Sequence, residues 1–283
     1  MKLGAARFLR RIPLHAAIAL IVLVWVVPTL GLLVSSVRPA NAVATTGWWN
    51  AFVPPFSFTL ENYANVLTKR DLGLSLMNSL LVSIPATVLT VGVAAYAAYS
   101  FAWMRFRGRD WLFLLIVALL VVPVQITLVP VLRLLNGFGL TGTFVGIWLV
   151  HLGYGLPFAI YLLRSFFASL PREMLESAAI DGASPATTFL RIALPTSLPA
   201  LGSLAIFEFV WNWNDLLSAL IFLGGRKDVA PLTVAVSNLV ASRGEGWQLL
   251  TAAAFVSMIV PLIVFFAMQR QFVRGIVGGS VKG

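Results

Sequence analysis

The sequence predicts an all-α protein that crosses a lipid membrane several times. Hydrophobic residues make up 59% of its 283 residues, and charged residues make up only 11%. A soluble domain carries about 25% charged residues, so lipid is the expected solvent for most of this chain. The apolar residues are also grouped into runs of about 20 or more, the length that a helix needs to span the hydrocarbon core.

Six apolar runs are long enough to be membrane-spanning helices. Prolines interrupt most of them, and each proline removes a backbone donor and can bend its helix. Neighbouring helices can satisfy the freed carbonyl groups, so prolines are tolerated inside a membrane. The six predicted spans cover residues 15–37, 74–104, 111–135, 143–168, 197–223 and 247–269.

The first apolar run has a second interpretation, a secretory signal peptide. A basic segment precedes it, and Ala40-Asn41-Ala42 resembles a cleavage site. However, the apolar part of a signal peptide has about 7–15 residues, and this run continues almost unbroken from Ala16 to Val34. We therefore predict a retained span, preceded by a cytoplasmic N-terminal tail over residues 1–14.

Basic residues predict the side of the membrane on which each loop lies. With six spans both termini share one side, which carries 13 of the 20 Lys and Arg residues. Cytoplasmic loops carry an excess of these residues, so that side is predicted to be cytoplasmic. The larger outside segments are then 38–73 and 224–246. In the first of them, "TLENYANVL" (59–67) predicts a short helix capped by Thr59.

The stretch "PREMLESAAIDGASPATTFLRIALP" (171–195) is more polar than the spans on either side of it. A proline followed by glutamates is typical of the first turns of a helix. Gly182 can end that helix with a positive φ, and Ser184 can cap a second helix. The second helix is predicted to reach about residue 193 and to be stopped by Pro195.

The first of these two short helices has an apolar patch formed by Met174, Leu175, Ala178 and Ala179. One interpretation is an amphipathic helix on the lipid surface, but such a helix normally carries many Lys or Arg residues and large apolar anchors. Here the residues are acidic ones and alanines. A docking element for a cytoplasmic protein fits this composition better.

The fifth span contains polar residues that are costly to place in lipid. Glu208 lies near its middle, where a charged side chain costs about 2.5–3.5 kcal/mol. Trp211, Asn212 and Asp215 follow at spacings that place them on the same helical face. Carboxylate, amide and indole groups together suit the recognition of sugar hydroxyls and rings, so these residues are predicted to line a translocation path.

Several other function classes lack the residues that they need. The chain has no cysteine and only two histidines, His15 and His151, so a zinc site is not expected. No cluster of nucleophile, base or metal ligands indicates an intramembrane enzyme. No G-x-x-x-x-G-K-[ST] motif occurs, so energy must come from a partner or an ion gradient. Topology-setting loops account for the net charge of +10 better than nucleic-acid binding does.

The polar stretch also resembles a known family motif. Glu176-Ser177-Ala178, followed by Gly182 and then Ile192-x-Leu194-Pro195, has the spacing of the EAA motif of ABC-importer permeases, with Ser177 where alanine is usual. Other segments are similar to the MalG-type subunit of carbohydrate importers, namely 78–87, 123–131, 213–217 and 269–283. Residues 35–52, 161–167 and 242–247 are similar to its α-glucoside branch.

This resemblance implies a type I ABC importer permease fold, with a six-helix domain over 15–270 and a cytoplasmic tail over 271–283. It implies a complex in the inner membrane with a second, MalF-type permease, a homodimeric ATPase and an extracytoplasmic sugar-binding protein. ATP and Mg would be bound by the ATPase, and this chain would bind no cofactor. The tail has two interpretations, a contact with the ATPase and a loose end.

The resemblance also assigns a coupling role to the loop 169–196, which would be moved when the ATPase closes on ATP. The residues that it implicates are Glu173, Glu176, Ser177, Ala178, Ala179, Asp181, Gly182, Ile192, Leu194 and Pro195.

Some of the polar residues within the spans have an alternative role in holding helices together. Because the "WND" pattern looks recurrent in this family, we favour helix bonding for Trp213, Asn214 and Asp215. Both roles are open for Glu208, and also for Gln125, which lies between two prolines of the third span and could form a gate.

The sequence thus predicts a non-enzymatic permease of an ATP-driven importer for α-glucosides such as maltose, trehalose or sucrose. The alternative is an ion-coupled secondary transporter with Glu208 as its titrating group. Such transporters commonly contain internal repeats, and none is visible here.

Overall fold

The computed structural model describes residues 2–68, 72–240 and 246–280, with side chains described within 12–68, 72–239 and 246–269. In this part of the chain the regular elements are helices, without strands. Lys69, Arg70, Arg243 and Lys282, which contribute to the charge asymmetry, lie outside the described residues, as do the last residues of the predicted tail. In chain order the α-helices are α1 (Lys2–Ser36), α2 (Ala40–Thr45), α3 (Glu61–Thr68), α4 (Leu72–Trp103), α5 (Arg109–Leu119), α6 (Val124–Gly137), α7 (Phe144–Ala168), α8 (Arg172–Ile180), α9 (Pro185–Thr188), α10 (Leu194–Thr196), α11 (Leu198–Asn214), α12 (Leu217–Phe222), α13 (Leu232–Val240) and α14 (Trp247–Ser280).

Four of these helices are long and apolar enough to span a membrane: most of α1, the whole of α4 and α7, and the first two-thirds of α14. Two bent pairs also qualify when each pair is counted as one span. One pair is α5 with α6, bent by 104°, and the other is Pro185–Thr196 with α11, bent by 77°. The all-α membrane fold is therefore confirmed, with four spans or up to six.

The third predicted span, 111–135, is wrong as a single helix. α5 ends at Leu119, the chain turns, and α6 starts after Pro123, whose φ of −62° and ψ of 127° are extended. A proline disfavours helical geometry in the residue before it, here Val122, so the first helix has to end before that residue. The break opens a bend where the sequence pattern alone indicated a continuous helix.

The fifth predicted span, 197–223, is also interrupted. α11 ends at Asn214, and Asp215 is extended with φ −72° and ψ 112°. Its Oδ1 accepts a hydrogen bond from the Ser218 backbone N–H at 3.1 Å. The carboxylate thus satisfies a free donor at the start of α12, which stabilises the break.

Pro195 does not stop the second short helix, contrary to the prediction. Phe189–Ala193 forms a π-helical turn, in which the Leu194 N–H donates to the Phe189 carbonyl, and α10 then carries Pro195. A wider turn relieves the clash of a proline ring with the carbonyl four residues before it. The helical path therefore continues to Thr196.

The chain forms two compact units, Met1–Leu72 with Val236–Val256 and Gly73–Ala235 with Ser257–Gly283. In the smaller unit, Arg38 is buried and donates to the Gly47 carbonyl at 3.0 Å and to Thr46 Oγ1 at 2.7 Å. The predicted helix near residue 60 is confirmed as α3. Its cap is also confirmed, because Thr59 Oγ1 accepts the Glu61 N–H at 3.0 Å.

In the larger unit, an aromatic cluster fixes the short helices to the spans. Phe189 packs on Tyr99 of α4, with ring centroids 5.2 Å apart, and on Phe167 of α7 at 6.4 Å. Trp103 of α4 donates to the Phe167 carbonyl at 2.8 Å. The short helices are therefore joined to α4 and α7 by buried, close-packed side chains.

Polar side chains of α4 hold the loop that follows α12. Asn78 Nδ2 donates to the carbonyls of Asp228 and Ala230, and Ser79 Oγ accepts the Leu232 N–H. In the same loop Arg226 donates to Asp228 at 2.6 Å, and this hydrogen bond lowers the pKa of the Asp228 carboxyl. The α4 side chains thus anchor the backbone of the loop, and the charged side chains of Arg226 and Asp228 lie at its surface.

Candidate functional site

A cavity of about 970 Å³ lies in the larger unit. Its walls come from the α5–α6 break, from α7, from the second half of α11 and from the start of α12. Thr127 of α6 donates to the Tyr154 hydroxyl of α7 at 3.0 Å, which ties two of these walls together. The two helix breaks that sequence patterns missed both border this cavity.

The cavity brings together four of the five residues predicted to line a path: Glu208, Trp211, Asp215 and Gln125. Asn212 was predicted on the same face and does not line it. Its buried amide donates to Thr87 Oγ1 of α4 at 3.2 Å. One residue along a helix turns the side chain by about 100°, so Asn212 points away from the face that carries Trp211. It points to the face of α11 that contacts α4.

Three aromatic rings lie along one wall, and two of them, Phe158 and Phe207, were not predicted from the sequence. Phe158 of α7 and Phe207 of α11 have centroids 4.9 Å apart, and Phe207 and Trp211 stack at 6.1 Å with a 27° interplanar angle. All three rings line the cavity. The i, i+4 spacing of Phe207 and Trp211 was a usable signal, because such pairs share a helix face.

A polar wall faces the cavity where α7 meets α11. Glu208 is only 2% exposed, and a Cβ atom on Gly155 would lie 2.7 Å from its Oε2. His151 Nδ1 lies 3.8 Å from Asp215 Oδ2. The buried Nε2 of His151 has no hydrogen-bond partner among the described residues. Sequence reasoning missed His151 and Gly155; a histidine within a span was a signal, since ionisable groups there are rare.

The other polar residues of the "WND" stretch bond to helices. Trp213 is buried, and its Nε1 donates to the Ser257 carbonyl of α14 at 3.0 Å. Asn214 donates to the Val210 carbonyl within α11 at 2.8 Å. The Trp213 contact agrees with the helix-bonding interpretation, because it joins two helices. The Asn214 contact stays within its own helix, and both Asn214 and Asp215 line the cavity.

The short helices α8 to α10 form a second candidate site, whose first corner is a well-formed helix ending. Gly182 has φ +76°, its N–H donates to the Ala179 carbonyl, and the Ala183 N–H donates to the Ala178 carbonyl. This is the Schellman pattern, which favours glycine at the left-handed position. Ser184 accepts the Thr187 N–H at 3.2 Å, so both predicted boundaries are confirmed.

Most of the residues implicated in coupling point outward. Ala178 is buried and Ile192 and Leu194 are half-buried, while the other seven residues are exposed: Glu173, Glu176, Ser177, Ala179, Asp181, Gly182 and Pro195. The predicted apolar patch divides in two, because Leu175 and Ala178 are buried and Ala179 is exposed. Ile180 is 86% exposed. The outer face thus combines acids, small residues and one large apolar side chain.

Comparison with known proteins identifies a family and its relatives. Residues 70–278 match the family described as binding-protein-dependent transport system inner membrane component. The osmoprotective compounds uptake permease protein GgtD of Synechocystis sp. is 53% identical over 97% of this chain and 93% of its own length. The alpha-glucoside transport system permease protein AglG of Rhizobium meliloti is 52% identical over 89% of this chain and 67% of its own.

The fold is also seen in a solved structure. A chain of a bacterial ABC transporter involved in the import of the acidic polysaccharide alginate superposes with a TM-score of 0.77. The match covers 94% of this chain and 98% of that chain at 20% identity. At this identity the likeness is one of fold.

Proposed function

Because this chain belongs to the family of binding-protein-dependent transport system inner membrane components, we propose that its cavity conducts α-glucosides. Its relatives are sugar ABC permeases, and the chain is the permease subunit of a sugar ABC transporter. Permease subunits of this kind are not enzymes. The ion-coupled alternative is not favoured by these relatives.

One observation carries the substrate proposal: an aromatic wall stands beside a polar wall in the same cavity. The rings of Phe158, Phe207 and Trp211 offer flat apolar surfaces for the C–H faces of a pyranose. Glu208 and Asp215 offer acceptors for its hydroxyl groups. The name of one relative, an alpha-glucoside transport system permease protein, agrees with α-glucosides as cargo.

The transporter as a whole requires other subunits. A permease of this family acts with a partner permease, an ATPase and a binding protein. The finer arrangement is part of our proposal: a MalF-type partner, two identical ATPase chains that hold ATP and Mg, and an extracytoplasmic sugar-binding protein. The chain itself would bind no cofactor.

The exposed face of α8 and the Gly182 corner form the proposed contact with the ATPase. Closure of the ATPase on ATP would move this rigid corner, and the ring contacts of Phe189 with Tyr99 and Phe167 would pass the motion to α4 and α7. Two-state rearrangement of packed helices would then open the cavity to the other side.

The charge asymmetry supports placing this corner, and both termini, in the cytoplasm. The loop that contains Arg226 and Asp228 would then face outward, where the binding protein delivers sugar. The described helix bounds agree with this proposal when each bent pair is one span.

The substrate proposal is tested with the complete transporter in lipid nanodiscs. We expect ATPase activity to be stimulated by the binding protein loaded with maltose, trehalose, sucrose or glucosylglycerol. Cellobiose is the matched control, because it differs from maltose only in the configuration of its glycosidic bond. Stimulation by cellobiose without stimulation by any α-glucoside would exclude the proposed substrate class.

A further inference from the structure

The polar wall of the cavity consists of two carboxylates that rest on α7. Glu208 lies against Gly155, and Asp215 lies beside His151. Positions 151 and 155 are one helical turn apart on α7, so the two acids lie along one seam between α7 and α11. The buried Nε2 of His151, for which the described residues offer no hydrogen-bond partner, belongs to the same seam.

The charges along this cavity bear on which solutes it can hold. Among the described residues that line it there is no lysine or arginine, and the titratable side chains present are Glu208, Asp215, His151 and Tyr154. A carboxylate or sulfate that entered would lose water without gaining a counter-charge, at a cost of several kcal/mol. A hydroxyl group, in contrast, can donate to a carboxylate oxygen or to a neutral imidazole nitrogen.

We propose that this seam makes the cavity selective for neutral pyranosides and that it excludes acidic saccharides. Gly155 is the positioning residue for Glu208, since a side chain there would meet its carboxylate, while His151 lies 3.8 Å from the carboxylate of Asp215. The inference rests on the proposed function and adds the charge of the cargo to it. The shared fold does not itself fix this charge, because the superposed transporter imports an acidic polysaccharide.

The test uses two ligands that differ only in charge. One is α,α-trehalose, and the other is the same disaccharide with one primary hydroxyl carbon oxidised to a carboxylate. Binding is measured by equilibrium dialysis to the complex of both permeases and the ATPase in nanodiscs. The binding protein is left out, so that the selectivity measured belongs to the permeases. We expect the acidic ligand to bind at least about 100-fold more weakly.

A gain-of-function variant tests whether the cavity of this chain determines the preference for neutral ligands. Gln125 is exposed and lines the cavity, so Gln125→Lys adds the missing counter-charge. We expect it to reduce the preference for neutral trehalose by about tenfold, which corresponds to 1.4 kcal/mol. Asn136→Lys makes the same change at an exposed site on α6 away from the cavity and should not alter the preference.

A second pair of variants tests whether Gly155 sets the position of the Glu208 carboxylate. In Gly155→Ala the new Cβ would lie 2.7 Å from Glu208 Oε2 and 2.9 Å from Thr90 Cγ2, so the carboxylate must move. Gly153→Ala, on the same helix, meets nothing within 4 Å. We expect the first to raise the trehalose KM of the complete transporter by about tenfold or more with kcat less affected. The second should leave both unchanged.

The outcomes separate this inference from the proposed function. If the wild-type complex binds both ligands equally, or if Gln125→Lys and Gly155→Ala behave like their controls, the inference is overturned while trehalose transport still stands. If the complete transporter neither binds nor carries any neutral α-glucoside, the proposed function fails, and the inference fails with it.

Discussion

At the scale of single residues, two tryptophans on α11 show how strongly the helix faces differ. Trp211 is 57% exposed and stacks on Phe207 in the cavity wall. Trp213 is 2% exposed and donates to the Ser257 carbonyl of α14. Two positions along a helix correspond to a rotation of about 200°, so the same residue type serves the cavity in one case and packing in the other.

Alanine substitutions of these tryptophans should have opposite effects. Trp211→Ala should raise the KM for sugar transport, because it removes a stacking surface, and should leave the thermal midpoint nearly unchanged. Trp213→Ala should lower the free energy of unfolding by about 3–5 kcal/mol, because it leaves a cavity and an unpaired carbonyl. Transport kinetics and thermal melts of the purified complex measure both. Equal loss of stability in the two variants would contradict this assignment.

At the scale of elements, the helices α8 and α6 end in the same C-terminal capping motif. Gly182 after α8 and Gly139 after α6 both have positive φ, at 76° and 67°. In each case the glycine N–H and the next N–H donate to the last turn of the helix in the Schellman pattern. Only the Gly182 corner belongs to the proposed ATPase contact, so the two endings form a natural matched pair.

Gly182→Pro should uncouple ATP hydrolysis from uptake. Proline fixes φ near −65° and has no N–H, so it cannot adopt this corner, and the outer face of α8 would be displaced. We expect the ratio of sugar transported to ATP hydrolysed to fall, with normal membrane insertion. Glu176→Lys, which reverses an exposed charge on that face, should act in the same direction.

Gly139→Pro is the control for this experiment, since it imposes the same backbone conflict and removes an equivalent hydrogen bond. Its coupling ratio should remain that of the wild type. If both proline variants lowered the ratio equally, backbone strain rather than the contact surface would explain the loss.

At the scale of the whole molecule, the direction of the chain across the membrane follows from charge. Among the 20 Lys and Arg residues, 13 fall on the side of both predicted termini and of the Gly182 corner. Lys227 lies in the exposed loop after α12, which is predicted to face the side opposite the cytoplasm. The absence of cysteine from the chain allows either side to be probed with one introduced thiol.

Single-cysteine labelling should reveal this orientation. In intact spheroplasts, a membrane-impermeant maleimide should label Lys227→Cys, and it should label Ser184→Cys only after lysis. Both positions are exposed, so access to the reagent should depend on the side of the membrane. Labelling of Ser184→Cys in intact spheroplasts would reverse the proposed topology and remove the ATPase contact.

The sequence by itself determined the solvent, the approximate spans and the local boundaries of helices. Hydrophobic run length set the spans because the bilayer imposes a fixed thickness. Gly182, Ser184 and Thr59 were identified as boundary residues because capping depends on a few neighbouring backbone groups. The EAA-type spacing, a local motif, also indicated the family, and the family match over residues 70–278 confirms that membership.

Only the tertiary structure decided which side chains meet in the cavity. Three features depend on contacts between residues far apart in the chain. They are the bend between α5 and α6, the close approach of Glu208 to Gly155, and the hydrogen bond that turns Asn212 towards α4. Helical periodicity gives a residue's face but not the helix that packs against that face. In lipid this limit is strong, because apolar residues occur on every face and the pattern no longer marks the buried side.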